Sequence, residues 1–222
     1  MKLILDTANI GKIKEYLDYL PVQGVTTNPS ILKTEGKIDF VNHMKQIRQL
    51  IGVERSLHVQ VIASDYEGML ADARKILNEI DSQVYIKIPV TKDGLKAIQT
   101  LKQEGHSVTA TAIYTEMQAL LALEADADFL APYVNRISLL QANPYQLIHR
   151  VQKQIERHSY PRQLLAASFK QVSQVTDALA AGADYVTLGV EIIDQLLHYP
   201  MVDKAVSDFA ADWQSIFGKE SL

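Results

Sequence analysis

Short, mostly apolar runs alternate with segments of helical spacing from one end of the chain to the other. Eight runs stand out: Lys2 to Asp6, Gly24 to Thr26, Leu57 to Ile62, Val84 to Val90, Ser107 to Ala112, Phe129 to Ala131, Gln163 to Ala167 and Tyr185 to Leu188. Strands that are apolar on both faces must be covered on both, so the pattern predicts parallel strands joined by crossover helices, not a sandwich or a bundle. Between the runs, Ile10, Ile13, Leu17 and Leu20 keep helical spacing behind Asn9 as a cap, and Leu147, Val151 and Ile155 do so after Pro144. Ser64 with Glu67, and Thr115 with Gln118, fit the S/T-x-x-E/Q capping box; Gly182 after Ala178 to Ala181 suits a left-handed helix stop. A helix from about Glu191 to His198 precedes Pro200, and a last one, over about 202–218, carries the only tryptophan, Trp213.

Eight such βα units in 222 residues satisfy a closed (β/α)8 barrel with lean loops, an α/β TIM barrel with an extra C-terminal helix. A doubly wound open sheet is the competing architecture, although no G-x-G-x-x-G fingerprint follows any predicted strand. Ala127-Asp128-Phe129-Leu130 echoes Ala183-Asp184-Tyr185-Val186, each at a helix-to-strand joint, as repeating units predict. No Pro/Gly/Ser-rich linker, low-complexity tract or charge block interrupts residues 1–222, which are read as a single domain.

Composition narrows the function classes. With 47% hydrophobic and 22% charged residues the chain matches an ordinary globular protein. A formal net charge of −4 leaves no basic footprint for nucleic acid. Zero cysteines exclude disulfides, thiolate metal sites and thiol nucleophiles, and fit a reducing cytosol. The start reaches Asp6 after three apolar residues, too few for a signal-peptide core, and no run approaches a membrane span, so a cytoplasmic location without membrane attachment is expected. The six histidines show no H-x-x-x-H clustering, so no metal site is expected.

The most informative stretch is Val84-Tyr85-Ile86-Lys87-Ile88-Pro89-Val90, where alternation puts Val84, Ile86, Ile88 and Val90 on one face and Lys87 on the other, with Tyr85 and Pro89. In a barrel that other face is the interior near the C-terminal mouth. Desolvation there favours the neutral amine and makes it a nucleophile able to form an imine with a carbonyl substrate. A lysine that snorkels out, or pairs with a carboxylate, is the alternative.

Further polar residues fall at the C-terminal ends of predicted strands, where barrel enzymes build their sites. Asp6 fits a helix cap and a catalytic carboxylate equally well. Thr26-Thr27-Asn28-Pro29-Ser30 either places the Asn28 amide at the mouth or makes a simple turn. Gln60, on the same face as His58, could orient a water or a substrate hydroxyl, or satisfy a core hydrogen bond; Thr111 and Tyr133 follow the same logic. Arg136 and Ser168, on late strands, would suit a phosphate, with a surface ion pair as the alternative for Arg136.

These residues lie in blocks that run end to end: Leu3-Ile4-Leu5-Asp6-Thr7-Ala8, Gly24-Val25-Thr26-Thr27-Asn28-Pro29-Ser30-Ile31, Ile86-Lys87-Ile88-Pro89-Val90-Thr91 with Gly94-Leu95, Thr111-Ala112-Ile113-Tyr114, Ala131-Pro132-Tyr133-Val134-Asn135-Arg136-Ile137 and Leu165-Ala166-Ala167-Ser168-Phe169-Lys170. By them the chain resembles the small transaldolase-like class I aldolases, on the fructose-6-phosphate aldolase side of that family. The resemblance implies a (β/α)8 barrel with Lys87 as the Schiff-base lysine, no cofactor, and a C-terminal helix packed on a neighbouring subunit of a homodecamer built from pentameric rings. It also implies that Asp6 and Asn28, beside Thr26, position substrate hydroxyls. Gln60, Thr111 and Tyr133 hold a water and move protons, while Arg136 and Ser168 bind a phosphate.

The implied reaction is reversible cleavage of fructose 6-phosphate to dihydroxyacetone and glyceraldehyde 3-phosphate. A transaldolase passing the three-carbon unit to a second sugar phosphate is the alternative, and a non-catalytic sugar-phosphate-binding barrel the second. Transaldolases of the family typically carry glutamate and phenylalanine where this chain has Gln60 and Tyr133, which favours the aldolase. Two departures flank the phosphate site: Ile137 to Asn143 lacks a glycine-rich stretch, and Leu188-Gly189-Val190 replaces a proline-containing turn.

Overall fold

The computed structural model describes residues 1–222. Its strands are β1 (Lys2–Asp6), β2 (Val22–Thr26), β3 (Ser56–Gln60), β4 (Tyr85–Pro89), β5 (Val108–Ile113), β6 (Phe129–Pro132), β7 (Gln163–Ala166) and β8 (Tyr185–Leu188). Its helices are α1 (Ile10–Tyr19), α2 (Pro29–Thr34), α3 (Phe40–Ile51), α4 (Tyr66–Glu79), α5 (Lys92–Gln103), α6 (Glu116–Glu124), α7 (Val134–Leu139), α8 (Pro144–His158), α9 (Val172–Ala180), α10 (Val190–Leu197) and α11 (Pro200–Phe217). Every strand pairs in parallel with the next, and β8 closes on β1. The result is a (β/α)8 barrel carrying an extra C-terminal helix, and closure leaves no sheet edge, which disposes of the open doubly wound alternative.

Period-two alternation divides the core in two. Leu3 and Leu5 point outward into the large shell between strands and helices, whereas Ile4 belongs to a small inner cluster with Phe129 and Leu165. Tyr85 and Tyr185 pack against that inner cluster, and the rings of Tyr85 and Tyr185 each meet Phe129 edge to face at 5.1 Å. This aromatic floor fills the barrel interior beneath the polar residues of the mouth.

Helix starts follow local chemistry. Asn9, Asp39, Thr91 and Asn143 accept backbone N–H bonds at the beginnings of α1, α3, α5 and α8, and the Thr115–Gln118 box forms in both directions at α6. The Ser64–Glu67 box does not form. Asp65 caps α4 instead, accepting from Gly68 N–H at 2.9 Å, because its carboxylate sits one residue closer to the free donors and is the stronger acceptor. Gly182, at φ +109°, terminates α9 in a conformation that disfavours any side chain.

Some predicted boundaries move. β3 stops at Gln60 rather than Ile62, since the Ile62 and Ala63 N–H groups turn to the Asp72 carboxylate, both at 2.8 Å. β2 begins two residues earlier than expected, at Val22, and α11 begins at Pro200, whose fixed φ and missing N–H suit a first helical turn. The echo at Asp128 and Asp184 is structural. Each carboxylate accepts the N–H of the residue at or beside the start of the preceding strand (Val108 at 2.8 Å, Leu164 at 2.9 Å), and each aspartate N–H returns a bond to that residue's carbonyl.

One close approach bears on the site. A Cβ at Gly94, in the first turn of α5, would lie 1.9 Å from the Pro89 carbonyl, so only glycine lets this helix seat against the end of β4. No helix is long and apolar enough to cross a membrane, and no group of three or more His, Cys, Asp or Glu side chains is arranged to hold a metal ion.

Candidate active site

At the C-terminal ends of the strands a cleft of about 880 Å³ opens, lined by Asp6, Thr26, Asn28, Gln60, Lys87, Thr111, Tyr133, Arg136 and Ser168. All nine residues singled out by their positions after strands therefore face one cavity. The reason is geometric: parallel strands bring their C-terminal ends to the same rim, and alternation turns the polar member of each inward.

Lys87 leaves the middle of β4 two residues above Tyr85 and is only 5% exposed. It neither snorkels outward nor pairs with a carboxylate; its Nζ donates to the Thr27 carbonyl at 2.9 Å. Burial pushes its pKa below the usual lysine range, against a smaller opposing pull from Asp6. Asp6 moves the other way, raised chiefly by burial, while Lys87 and the Thr26 hydroxyl pull it down. Both groups thus shift toward their uncharged forms, as expected where water is withdrawn from each.

The carboxyl end of β1 is a side-chain network. Thr26 Oγ1 donates to Asp6 Oδ1 at 2.6 Å and lies 2.6 Å from Thr187 Oγ1 of β8. Asp6 caps no helix, since Asn9 takes that place at α1. Asn28 combines both of its readings: its Oδ1 accepts from Ile31 N–H at 3.1 Å to start α2, and its residue lines the cleft.

Across the barrel, Thr111 Oγ1 and Tyr133 Oη are 3.0 Å apart. Burial raises the Tyr133 phenol above its ordinary value, so it stays protonated through neutral pH. Gln60 Oε1 is buried with no protein donor within reach, which leaves an acceptor suited to a substrate hydroxyl or a water. His58, below it, bonds Thr109 Oγ1 at 2.8 Å and Ser56 Oγ at 2.9 Å and stacks on Tyr85. Burial, reinforced by Lys87, holds it well below the usual histidine range, so it is a neutral part of the interior packing.

Two residues on this rim have left-handed backbone. Ala112 (φ 56°) forms an irregularity in the β5–β6 pairing, and Ser168 (φ 63°) turns the chain after β7. For non-glycine residues such φ values are uncommon and concentrate where a side chain must be aimed. Arg136 has no carboxylate partner. Its Nη1 donates to Tyr114 Oη at 3.2 Å and its guanidinium lies 5.0 Å from the centre of the Tyr133 ring.

Sequence reasoning passed over Thr187, Lys170 and Glu191, which also line the cleft, and Tyr114 beside it. Thr187 carried the signal that marked Lys87, a polar residue inside an apolar strand. Glu191 lies just past the turn already noted as a departure, and pairs with Lys170 at 3.3 Å. A carboxylate thus stands on the side of the cleft where a phosphate was expected, balanced by a lysine.

Lys87 gives a pH prediction with a definite sign. Reaction of its amine with carbonyl reagents should rise with pH and level off below the usual lysine range. Between the lowered value and that range the unfolded chain binds more protons at Lys87 than the folded protein, so unfolding free energy rises with pH there. Urea unfolding of the protein and of a Lys87→Met variant, compared across that window, should show the difference growing with pH. A pH-independent difference would mean that the amine is not desolvated.

Comparison with known proteins gives two similarities along the whole chain. A family model described as transaldolase/fructose-6-phosphate aldolase matches residues 3–220. A protein of Streptococcus pneumoniae (strain ATCC 700669 / Spain 23F-1) named "Probable fructose-6-phosphate aldolase" is 48% identical over 222 residues, covering 100% of both chains.

Proposed function

From the premise that the chain belongs to the transaldolase/fructose-6-phosphate aldolase family, and is an aldolase- or transaldolase-type enzyme, we propose that it is a Schiff-base aldolase that reversibly cleaves fructose 6-phosphate to dihydroxyacetone and glyceraldehyde 3-phosphate. The observation that carries this reading is the Lys87 amine, buried above an aromatic floor and shifted toward its neutral form.

The neutral amine adds to the C2 carbonyl of the ketose, and loss of water gives a protonated imine that serves as an electron sink. The C4 hydroxyl then gives up its proton to a water held at Gln60, since the neutral Tyr133 phenol is already protonated. The C3–C4 electron pair passes into the imine, and glyceraldehyde 3-phosphate leaves. A three-carbon enamine remains on Lys87. Tyr133, kept protonated by its burial, supplies the proton that converts the enamine back to an imine, and hydrolysis frees dihydroxyacetone and the lysine. In this proposal Asp6, Asn28 and Thr26 hold the hydroxyls next to the reacting carbonyl and Arg136 with Ser168 takes the phosphate, a reading supported by the position of all five on the cleft lining.

Gln60 and Tyr133 favour the aldolase over the transaldolase, because a phenol can end the enamine's life by protonating it. The test is borohydride reduction after incubation with fructose 6-phosphate or dihydroxyacetone, followed by peptide mass analysis. An adduct at Lys87 and release of dihydroxyacetone from fructose 6-phosphate are expected. An unmodified protein supports a non-catalytic binding barrel instead, and rapid transfer to erythrose 4-phosphate without dihydroxyacetone release supports the transaldolase.

The assembly forms part of the same proposal. We read residues 1–222 as one domain whose α11 projects toward a second copy: none of its side chains is buried, and Val202, Val206, Phe209, Trp213 and Ile216 follow one another at helical spacing along it. A stripe of that size left in water favours association, and a homodecamer of pentameric rings is the arrangement that the family resemblance implies. Light scattering should give a mass many times the 24.8 kDa of one chain, and Phe209→Glu should lower it. A monomer at micromolar concentration would count against the assembly.

A further inference from the structure

The end of β5 sends two side chains to one target. Thr111 Oγ1 reaches the Tyr133 phenol oxygen at 3.0 Å, while Tyr114, past the irregularity at Ala112, meets the Tyr133 ring edge to face with centroids 5.6 Å apart. The Tyr114 hydroxyl also accepts a bond from Arg136 Nη1 at 3.2 Å, and the same guanidinium lies over the Tyr133 ring at 5.0 Å. Tyr114, Tyr133 and Arg136 therefore close a triangle of three different contacts: ring on ring, cation on ring, and hydroxyl to guanidinium.

Tyr114 does not line the cleft, so it does not itself touch a substrate held there. Arg136, by contrast, has no carboxylate to fix it; Tyr114 Oη is its only side-chain hydrogen-bond acceptor. A long side chain free to rotate would lose conformational freedom on gripping a phosphate, and one already pinned loses less.

We propose that Tyr114 is a positioning residue that holds Arg136 over Tyr133, and so sets the enzyme's preference for phosphorylated over uncharged aldehydes. This rests on the aldolase reading above and goes beyond it by assigning the source of that preference. In the direction of synthesis, with dihydroxyacetone as donor, the pinned guanidinium selects an aldehyde bearing a terminal phosphate. An aldehyde without one gains nothing from the arrangement.

The experiment compares glyceraldehyde 3-phosphate with glyceraldehyde as acceptors for the protein and its Tyr114→Phe variant, which keeps the ring and removes one oxygen. KM for the phosphorylated aldehyde should rise by at least about ten-fold, the effect of losing one hydrogen bond to a charged group. Its kcat, all kinetics with glyceraldehyde, and borohydride trapping at Lys87 should stay unchanged. In an Arg136→Ala background the same Phe substitution should add nothing, since the group it positions is gone.

Equal effects on both aldehydes, no effect on either, or an undiminished effect in the Arg136→Ala background would each overturn the inference. If the unsubstituted protein traps no donor at Lys87, the aldolase reading falls and this inference with it. With trapping intact, only the inference is at stake.

Discussion

Replacing Lys87 with methionine is expected to leave the barrel folded and to lower fructose 6-phosphate cleavage by roughly 10⁴-fold or more, because Lys87 is the buried amine of the cleft, whereas the other two lysines there, Lys12 and Lys170, are ion-paired to Glu15 and Glu191 nearer the surface. Methionine matches the lysine stem in length and needs no hydration, so the buried position tolerates it. The one structural debit is the Thr27 carbonyl, which loses its donor at 2.9 Å. That costs about 1–3 kcal/mol, partly offset because an amine is no longer held away from water. Urea unfolding, steady-state kinetics and borohydride trapping on the one variant separate these effects. The expected pattern is a cooperative transition near the unsubstituted midpoint, no adduct, and no dihydroxyacetone. Retention of more than a few per cent of turnover would show that the carbonyl chemistry runs through another residue.

Tyr133→Phe should divide the two activities that the family name joins. Dihydroxyacetone release should fall by roughly 10²–10³-fold, within the range for loss of a positioned acid–base group. Borohydride trapping of the donor on Lys87 should persist, since in the proposed mechanism the phenol acts on the enamine after the bond has broken. An enamine that is no longer protonated waits longer for a second aldehyde, so transfer to erythrose 4-phosphate should gain relative to release. Thr111 loses its partner at 3.0 Å, and the expected stability cost is about 1 kcal/mol. Release that continued at the unsubstituted rate would move the proton-delivering role to another group, with the water site at Gln60 first in line.

Much of this was legible in the residues themselves. The Lys2 to Asp6 and Tyr185 to Leu188 strands coincide with the observed ones, and the Asn9 cap, the Thr115–Gln118 box and the Gly182 stop lie where local chemistry put them. Local interactions govern each of these, so local sequence suffices. The Ser64–Glu67 box failed for an equally local reason, competition from the adjacent Asp65 carboxylate. The end of β3 needed a partner ten residues away, Asp72, whose carboxylate takes the backbone donors that would have continued the strand.

The site divides along the same line. A lysine in an apolar strand, and polar residues after other strands, marked which side chains face inward; period two requires it. Which of those side chains touch is a matter of how far β1, β2, β5, β6 and β8 sit around the closed barrel. No spacing along the chain reports that Thr26 joins Asp6 to Thr187, or that Tyr114 reaches Arg136. Likewise the carboxylate of Glu191 is an ordinary first-turn residue of α10 in sequence, and a charge at the mouth only once the barrel closes.

The order of residues by itself determined the alternation of strands and helices, the inward face of each strand, and the presence of one amine with no water-facing place to go. Those properties follow from backbone periodicity and from the cost of burying charge, which act over a few residues. Only the closed barrel decided the chemistry available to that amine: the aromatic floor that withdraws water from it, the carboxyl and phenol shifted toward their protonated forms on the same rim, and the tyrosine that pins the arginine. Such features depend on distances between segments far apart in the chain, and distance in a folded protein is set by packing.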